Sequence, residues 1–273
     1  MTDEQKRAYE SEFRVKSEPF YHPTGNEVAE FTRAFRKRQA VMLKGPTGCG
    51  KSRFVEYMAY KLDLPLVTTP CNEDTDASDL TGRYVLQGQE GKWIDGSLTL
   101  PVRFGGIAYL DEVVEARQDT MVLIHSLTDS RRMLRVPKRG EQLVAPDNFG
   151  LVISFNPGYQ RMNKELKQST RQRFIGFEFD YASANIETEI IVRESGIGKK
   201  DAERLVRLGA EIRGLRSEGL AEGASTRLLI YAAQQMVDGT PPKRACEISL
   251  CNPITDKRDL ADAIKKFIEN HYQ

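Results

Sequence analysis

Gly45-Pro46-Thr47-Gly48-Cys49-Gly50-Lys51-Ser52 is the stretch on which the fold turns. It has the spacing of a phosphate loop: a glycine, four residues, then Gly-Lys and a hydroxyl residue. Before it, residues 40–44 (AVMLK) read as a short buried strand. After it, a helical pattern runs from Lys51 to Leu62 with Phe54, Met58 and Leu62 on one face. Strand, glycine-rich turn and helix in that order are the context that gives the pattern meaning. The glycines let the backbone wrap phosphate oxygens with its N–H groups facing them, and the helix N-terminus adds positive potential. In such a cradle Lys51 can reach the β- and γ-phosphates, and the Ser52 hydroxyl can ligate Mg²⁺. Cys49 contributes only its backbone.

Working outward, apolar runs at 64–69, 106–110, 150–155 and 174–179 read as further strands, mostly separated by helical patterns. That rhythm predicts an α/β fold with a mostly parallel sheet covered on both faces. Two stretches break it and read as β-hairpins, 82–100 around Gly88, Gly91 and Gly96, and 133–145 around Lys138 to Gly140. Residues 1–30 are polar, punctuated by Pro19, Pro23 and Gly25, and read as a strand or arm leading into a short helix that ends near Arg38. From Ala184 onward helical patterns dominate, at 184–196, 200–216, 225–238 and 256–271, with 246–250 the one candidate strand. The expected division is 1–183, a nucleotide-binding domain with an N-terminal arm, and 184–273, a small all-α domain.

Four further sites carry possible chemistry. Asp111-Glu112 ends the strand GIAYL. Alone, such a pair is an ordinary helix cap; after a phosphate loop, Asp111 reads as a Mg²⁺ ligand and Glu112 as the group that polarises an attacking water. Asn156 follows GLVISF and precedes Pro157-Gly158, so it is either a turn residue or an amide facing the nucleotide. Arg171 and Arg173 precede the fifth strand. They are either a solvated helix end or an arginine finger offered to a neighbouring subunit. Arg227, after Ser225-Thr226, is either an exposed residue on a capped helix or a charge that closes onto the phosphates.

Composition narrows the classes. In 273 residues the apolar share is 40% and the charged share 29%, which excludes a coiled-coil rod, a collagen-like fibre and a wholly disordered chain. Forty Lys and Arg against 39 Asp and Glu leave a formal charge of +1, which argues against a globally basic nucleic-acid binder. The basic run 130–139 reads as a solvated face. No run is long and apolar enough to span a bilayer. The N-terminal sequence is charged throughout, without an apolar signal core, so a cytoplasmic protein is expected. The four cysteines form no CxxC pair and the three histidines lack ligand spacing, which argues against a Cys/His metal site.

The ordered set of phosphate loop, Asp111-Glu112, Asn156, Arg171/Arg173 and Arg227 resembles an AAA+ ATPase. The two hairpins resemble the inserts of the MoxR group. The blocks GPTGCGKSRFVEYMA, CNEDTDASDLTGRY, YLDEVVEARQDTMVLIHSLTD, SFNPGYQ and STRLLIYAAQ are similar to the Q-type ATPases called CbbQ, NorQ or NirQ, over nearly the whole chain. The resemblance implies a P-loop αβα domain with a helical lid, ATP and Mg²⁺ as ligands, and a homo-oligomeric ring, usually hexameric. It implies a partner with a von Willebrand factor A domain and a target enzyme remodelled by ATP hydrolysis. For CbbQ-type proteins that target is Rubisco, freed of inhibitory sugar phosphates; for NorQ-type proteins it is nitric oxide reductase, matured by metal insertion. Lys51 and Ser52 then take the Walker A roles, Asp111 and Glu112 the Walker B roles, Asn156 that of sensor 1 and Arg227 that of sensor 2. Arg173 best matches the finger, with Arg171 second. One departure concerns Asp76 to Arg83, which lacks the aromatic pore residue of many AAA+ translocases; Tyr84 is the first aromatic, and this argues against polypeptide threading. Trp93 either faces a partner or caps the first hairpin's own core. Readings of another class, a DNA helicase or a transcription activator, lack a GAFTGA-type loop, a helix-turn-helix and a basic excess. A nucleotide-gated scaffold would not need Glu112.

Overall fold

The computed structural model describes residues 3–88, 90–157 and 166–272. The chain divides into two compact units. The first comprises residues up to Lys44 together with Lys51–Glu178. The second comprises Gly45–Gly50 together with Phe179 onward. The helical unit thus begins a few residues before 184, and the phosphate loop packs with it.

The first unit is built on a five-stranded sheet in the order β2-β5-β8-β1-β9. Its strands are β1 (Val41–Lys44), β2 (Leu66–Pro70), β5 (Gly106–Asp111), β8 (Phe149–Phe155) and β9 (Ile175–Glu178), and all pairings are parallel. Central parallel strands are covered on both faces, so they read as unbroken apolar runs rather than alternating ones. The interior of β5 and β8 is buried accordingly. Lys44 lies opposite Phe155 and Leu110 opposite Ile153, so the carboxyl ends of β1, β5 and β8 finish side by side. That edge is where α/β sheets hold ligands.

The helices of this unit are α1 (Asp3–Phe13), α2 (Glu27–Arg36), α3 (Lys51–Lys61), α4 (Ala77–Thr81), α5 (Thr99–Phe104), α6 (Gln118–His125) and α7 (Gln168–Arg171). The N-terminal segment is therefore not a strand. It forms α1, which docks by one residue: Tyr9 is buried, its ring stacks on Phe104 and its hydroxyl donates to the Gly105 carbonyl at 2.9 Å. A single aromatic anchor leaves no periodic stripe in the sequence. The expected first hairpin is β3 (Gly82–Gln87) with β4 (Glu90–Asp95); it stops at Asp95 rather than running to 100, and α5 begins at Thr99. The second is β6 (Met133–Val136) with β7 (Glu141–Val144).

Arg103 on α5 ties the two hairpins together. Its Nε donates to Asp95 at 2.9 Å and its Nη atoms to Glu141 at 2.6 and 2.8 Å. Trp93 donates to Asp95 at 2.7 Å and meets Tyr84 edge-on, so its indole serves the hairpin's own packing. The basic run is likewise engaged within this unit. Arg131 pairs with Asp129, Arg132 donates to the Pro146 and Phe149 carbonyls, and Arg139 pairs with Asp95 and Glu141.

The second unit is helical: α8 (Ala184–Ser195), α9 (Lys199–Gly214), α10 (Thr226–Val237), α11 (Pro242–Cys246) and α12 (Arg258–His271). Leu205, Leu208, Ile212, Leu229, Ile264 and Ile268 form much of its core. The candidate strand at 246–250 is instead a wide helical turn, Glu247–Cys251, continuing α11. No helix among the described residues is long and apolar enough to cross a membrane.

Candidate nucleotide site

In the first unit, α3 begins at Lys51, so Lys51 and Ser52 occupy its first turn directly after the loop. Lys51 is only 6% exposed, and its ammonium lies 4.0 Å from the Glu112 carboxylate. Ser52 donates to Asp111 Oδ2 at 3.2 Å. The other oxygen of Asp111 is held by two hydroxyls, Tyr109 at 2.6 Å and Ser154 at very short range. Ser154 also accepts the Glu112 backbone N–H at 3.0 Å. One serine in β8 thus fixes the acid at the tip of β5 and the backbone that follows it.

Glu112 has φ 51° and ψ 48°, the left-handed region that a non-glycine residue enters only at a cost. Its Oε2 accepts the Asn156 backbone N–H at 3.2 Å. Burial raises its pKa above the ordinary carboxylate range. The Lys51 ammonium pulls it back, and Asp111 pushes it up again. Asn156 is buried, and its described contact with Glu112 runs through the main chain. Gly158 lies outside the described residues. Cys71 lies behind this edge, where burial and then the two carboxylates push its thiol up to about 12, so it stays a neutral thiol.

Arg171 and Arg173 stand in a separate cluster of this unit. The Arg171 guanidinium lies over the Phe155 ring, 5.6 Å from its centroid, with its Nε buried and without a hydrogen-bond partner among the described residues. Arg173 is 37% exposed and 3.9 Å from Asp129. His125 joins them through Thr170 at 2.9 Å, its pKa lowered by burial and then by Arg173.

In the second unit, the loop residues Gly45, Pro46, Thr47, Gly48, Cys49 and Gly50 pack with the helices. Thr47 donates its hydroxyl to Glu222 at 3.2 Å and accepts the Tyr181 hydroxyl at its carbonyl, 3.3 Å. Ser225 caps α10 by accepting the Leu228 N–H, and Arg227 is exposed on the first turn. The structure therefore brings Lys51, Ser52, Asp111, Glu112 and Asn156 together, and Gly48 with Ser225 and Arg227. Sequence reasoning missed Tyr109, Ser154 and Tyr181. For the first two a signal existed, a hydroxyl interrupting an apolar strand.

The donor set fits a hard, oxygen-seeking cation beside a phosphate. Ser52 and Asp111 offer oxygens 3.2 Å apart, and a buried ammonium lies 4.0 Å from the carboxylate of the next residue, Glu112. A phosphate loop running into α3, with an Asp-Glu tip at the end of β5, is the arrangement of a P-loop nucleotide-binding domain, here of the AAA class. The model of the AAA domain (dynein-related subfamily) matches residues 40–174.

The CbbQ/NirQ/NorQ C-terminal model matches residues 187–271, and the chain belongs to the CbbQ/NirQ/NorQ family of AAA ATPases. It is 52% identical to Protein CbbQ of Hydrogenophilus thermoluteolus, over 93% of this chain and 96% of that one. It is 51% identical to the denitrification regulatory protein NirQ of Pseudomonas aeruginosa, over 93% and 97%. It is 51% identical to Protein NorQ of Paracoccus denitrificans, over 90% and 94%. Among solved structures the fold is shared with Thermotoga maritima RuvB, with a TM-score of 0.54 and 17% identity over 90% of this chain and 70% of that one. It is shared too with a Cytophaga hutchinsonii protein, at 0.53 and 18% over 98% and 96%.

Proposed function

We propose that this chain is a Mg²⁺-dependent ATPase that works as a homo-oligomeric, hexameric ring in the cytoplasm. With a partner carrying a von Willebrand factor A domain, it remodels a target enzyme. Residues 1–183 act as the nucleotide-binding domain and 184–273 as its helical lid. The observation that carries the reading is the Asp111–Glu112 tip, with Ser52 on one acid and Lys51 beside the other. Bound Mg²⁺–ATP supplies the γ-phosphoryl group together with counter-charge for it. Ser52 and Asp111 would hold the metal, and Lys51 the β- and γ-phosphates. Glu112 orients the attacking water and accepts its proton, and Asn156 supports Glu112. Arg173, the exposed member of its cluster, acts on the neighbouring subunit's phosphates, while Arg171 holds the finger segment against Phe155. Arg227 adds charge from the lid.

Rubisco, released from inhibitory sugar phosphates, is the target we place first, on the 52% identity to CbbQ. Maturation of nitric oxide reductase is the second, because NirQ and NorQ stand at 51%. The test is to mix the chain, its von Willebrand partner and ATP with sugar-phosphate-inhibited Rubisco. ATP-dependent recovery of carboxylation, lost in Glu112→Gln, is the expected result. No recovery, alongside ATP-dependent activation of metal-deficient nitric oxide reductase, moves the assignment to the second target. Salt-sensitive stimulation of hydrolysis by DNA would instead favour a nucleic-acid motor.

A further inference from the structure

A buried carboxylate is costly unless it is charge-matched and saturated with hydrogen bonds. Glu187 on α8 is 1% exposed and is held by a matched charge and three short bonds. Arg213 on α9 grips it as a parallel fork, Nη2 to Oε1 at 2.6 Å and Nη1 to Oε2 at 2.9 Å. The Thr226 hydroxyl adds a third bond at 2.6 Å. Arg213 is itself pinned twice more. Its Nε donates to the Ala224 carbonyl at 2.7 Å, and its guanidinium lies over the Tyr181 ring, 3.9 Å from the centroid.

From this hub, contacts run two ways within the helical unit. One runs through Thr226, the first residue of α10, whose neighbour is Arg227. The other runs through Tyr181, whose hydroxyl donates to the Thr47 carbonyl in the phosphate loop. Burial pushes the Tyr181 hydroxyl up to about 12, so it is a donor at any working pH. A separate observation joins the two ends. Gly48 has φ +69°, and a Cβ there would lie 2.7 Å from the Ser225 Cβ and 3.4 Å from the Arg227 Cβ. The loop backbone therefore rests directly on the turn that presents Arg227.

We propose that Tyr181, Arg213 and Glu187 are positioning residues for ATP hydrolysis. They lock the Thr47–Gly48 stretch of the phosphate loop and the Arg227-bearing turn of α10 into one register. The inference rests on the ATPase reading above and deepens it. Its physical content is the orientation of one peptide plane. A phosphate loop binds through N–H groups turned towards the phosphates, so its carbonyls must point away and find donors elsewhere. Tyr181 supplies the donor for Thr47. Removing it takes away one donor that holds the Thr47 oxygen turned from the phosphates. Glu187 and Arg213 set the Tyr181 ring and the start of α10 together. Loss of the hydroxyl should therefore weaken nucleotide binding, whereas loss of the charge at Glu187 should misplace Arg227 and slow the chemical step.

The experiment uses the full chain and three readouts: steady-state hydrolysis, calorimetric binding of ATPγS, and thermal melting. Tyr181→Phe keeps the stacked ring and removes only the hydroxyl. Its KM for ATP and Kd for ATPγS should rise roughly threefold to tenfold, the value of one hydrogen bond, with kcat and melting nearly unchanged. Glu187→Gln should lower kcat by about tenfold or more, the value of a charged hydrogen bond, while Kd moves far less. Unchanged KM and Kd in Tyr181→Phe overturn the proposal, and this holds even if Glu187→Gln fails to fold. If Lys51→Ala hydrolyses ATP as fast as the wild type, the ATPase reading is what fails. The positioning role is then judged on the Kd for ATPγS alone.

Discussion

Two acidic sites divide the labour of this molecule, and they are held in opposite ways. Glu187, in the helical unit, has both oxygens occupied by bonds of 2.6 to 2.9 Å and almost no exposure. Glu112, at the end of β5, is 37% exposed and accepts one backbone N–H at 3.2 Å, with an ammonium at 4.0 Å. Asp111 stands between these extremes, one oxygen saturated by Tyr109 and Ser154 and the other met by Ser52. The number of short bonds an acid receives separates holding from reacting. A buried carboxylate held by three short bonds has little left to offer a ligand, whereas an under-committed one in a left-handed backbone has been kept available at a cost.

The largest effects should come from the under-committed groups and appear as rate. Arg173→Ala should lower turnover by about 10³–10⁵ while calorimetric ATPγS binding stays near wild type. Glu112→Gln should bind ATP and stall. Near-normal turnover in Arg173→Ala would remove it as the finger, and loss of ATP binding in Glu112→Gln would make that acid structural, erasing the contrast with Glu187. Next, Glu187→Ala should cost about 3–5 kcal/mol in urea unfolding, because it strands Arg213 in a buried setting. A wild-type midpoint would break the comparison from the other side. Ser154→Ala should raise the Mg²⁺ concentration needed for half-maximal hydrolysis by about tenfold to a hundredfold, as for other groups that orient a metal ligand. An unchanged Mg²⁺ titration would mean that Tyr109 alone fixes Asp111. The smallest effect is in pH. Hydrolysis needs Glu112 ionised, and burial raises its pKa, so kcat should fall with acidification at a pH above the ordinary carboxylate value of about 4.3. An acid limb at the ordinary value would show Glu112 to be as solvated as a surface acid.

Much of this was legible in the residues. The phosphate loop between strand and helix, the Asp111-Glu112 tip and both hairpins follow from local spacing. The helices after Ala184 show in their apolar period. Local misreadings have local causes. Helix α1 is held by Tyr9 rather than by an apolar stripe, so its sequence reads as an arm. The turn Glu247–Cys251 is short and apolar, and in so short a run strand and buried helix share one signature.

The sequence by itself determined the class of chemistry, because a phosphate cradle and a strand-end acid pair are encoded over a few consecutive residues through backbone geometry and periodicity. Only the tertiary structure decided how those groups are held. Ser154 reaches Asp111 across 43 positions, Arg213 grips Glu187 across 26, and Tyr181 meets Thr47 across 134. No local rule fixes such distances. They exist because each buried polar group must find a partner, and the packing of the core chooses which groups come within reach.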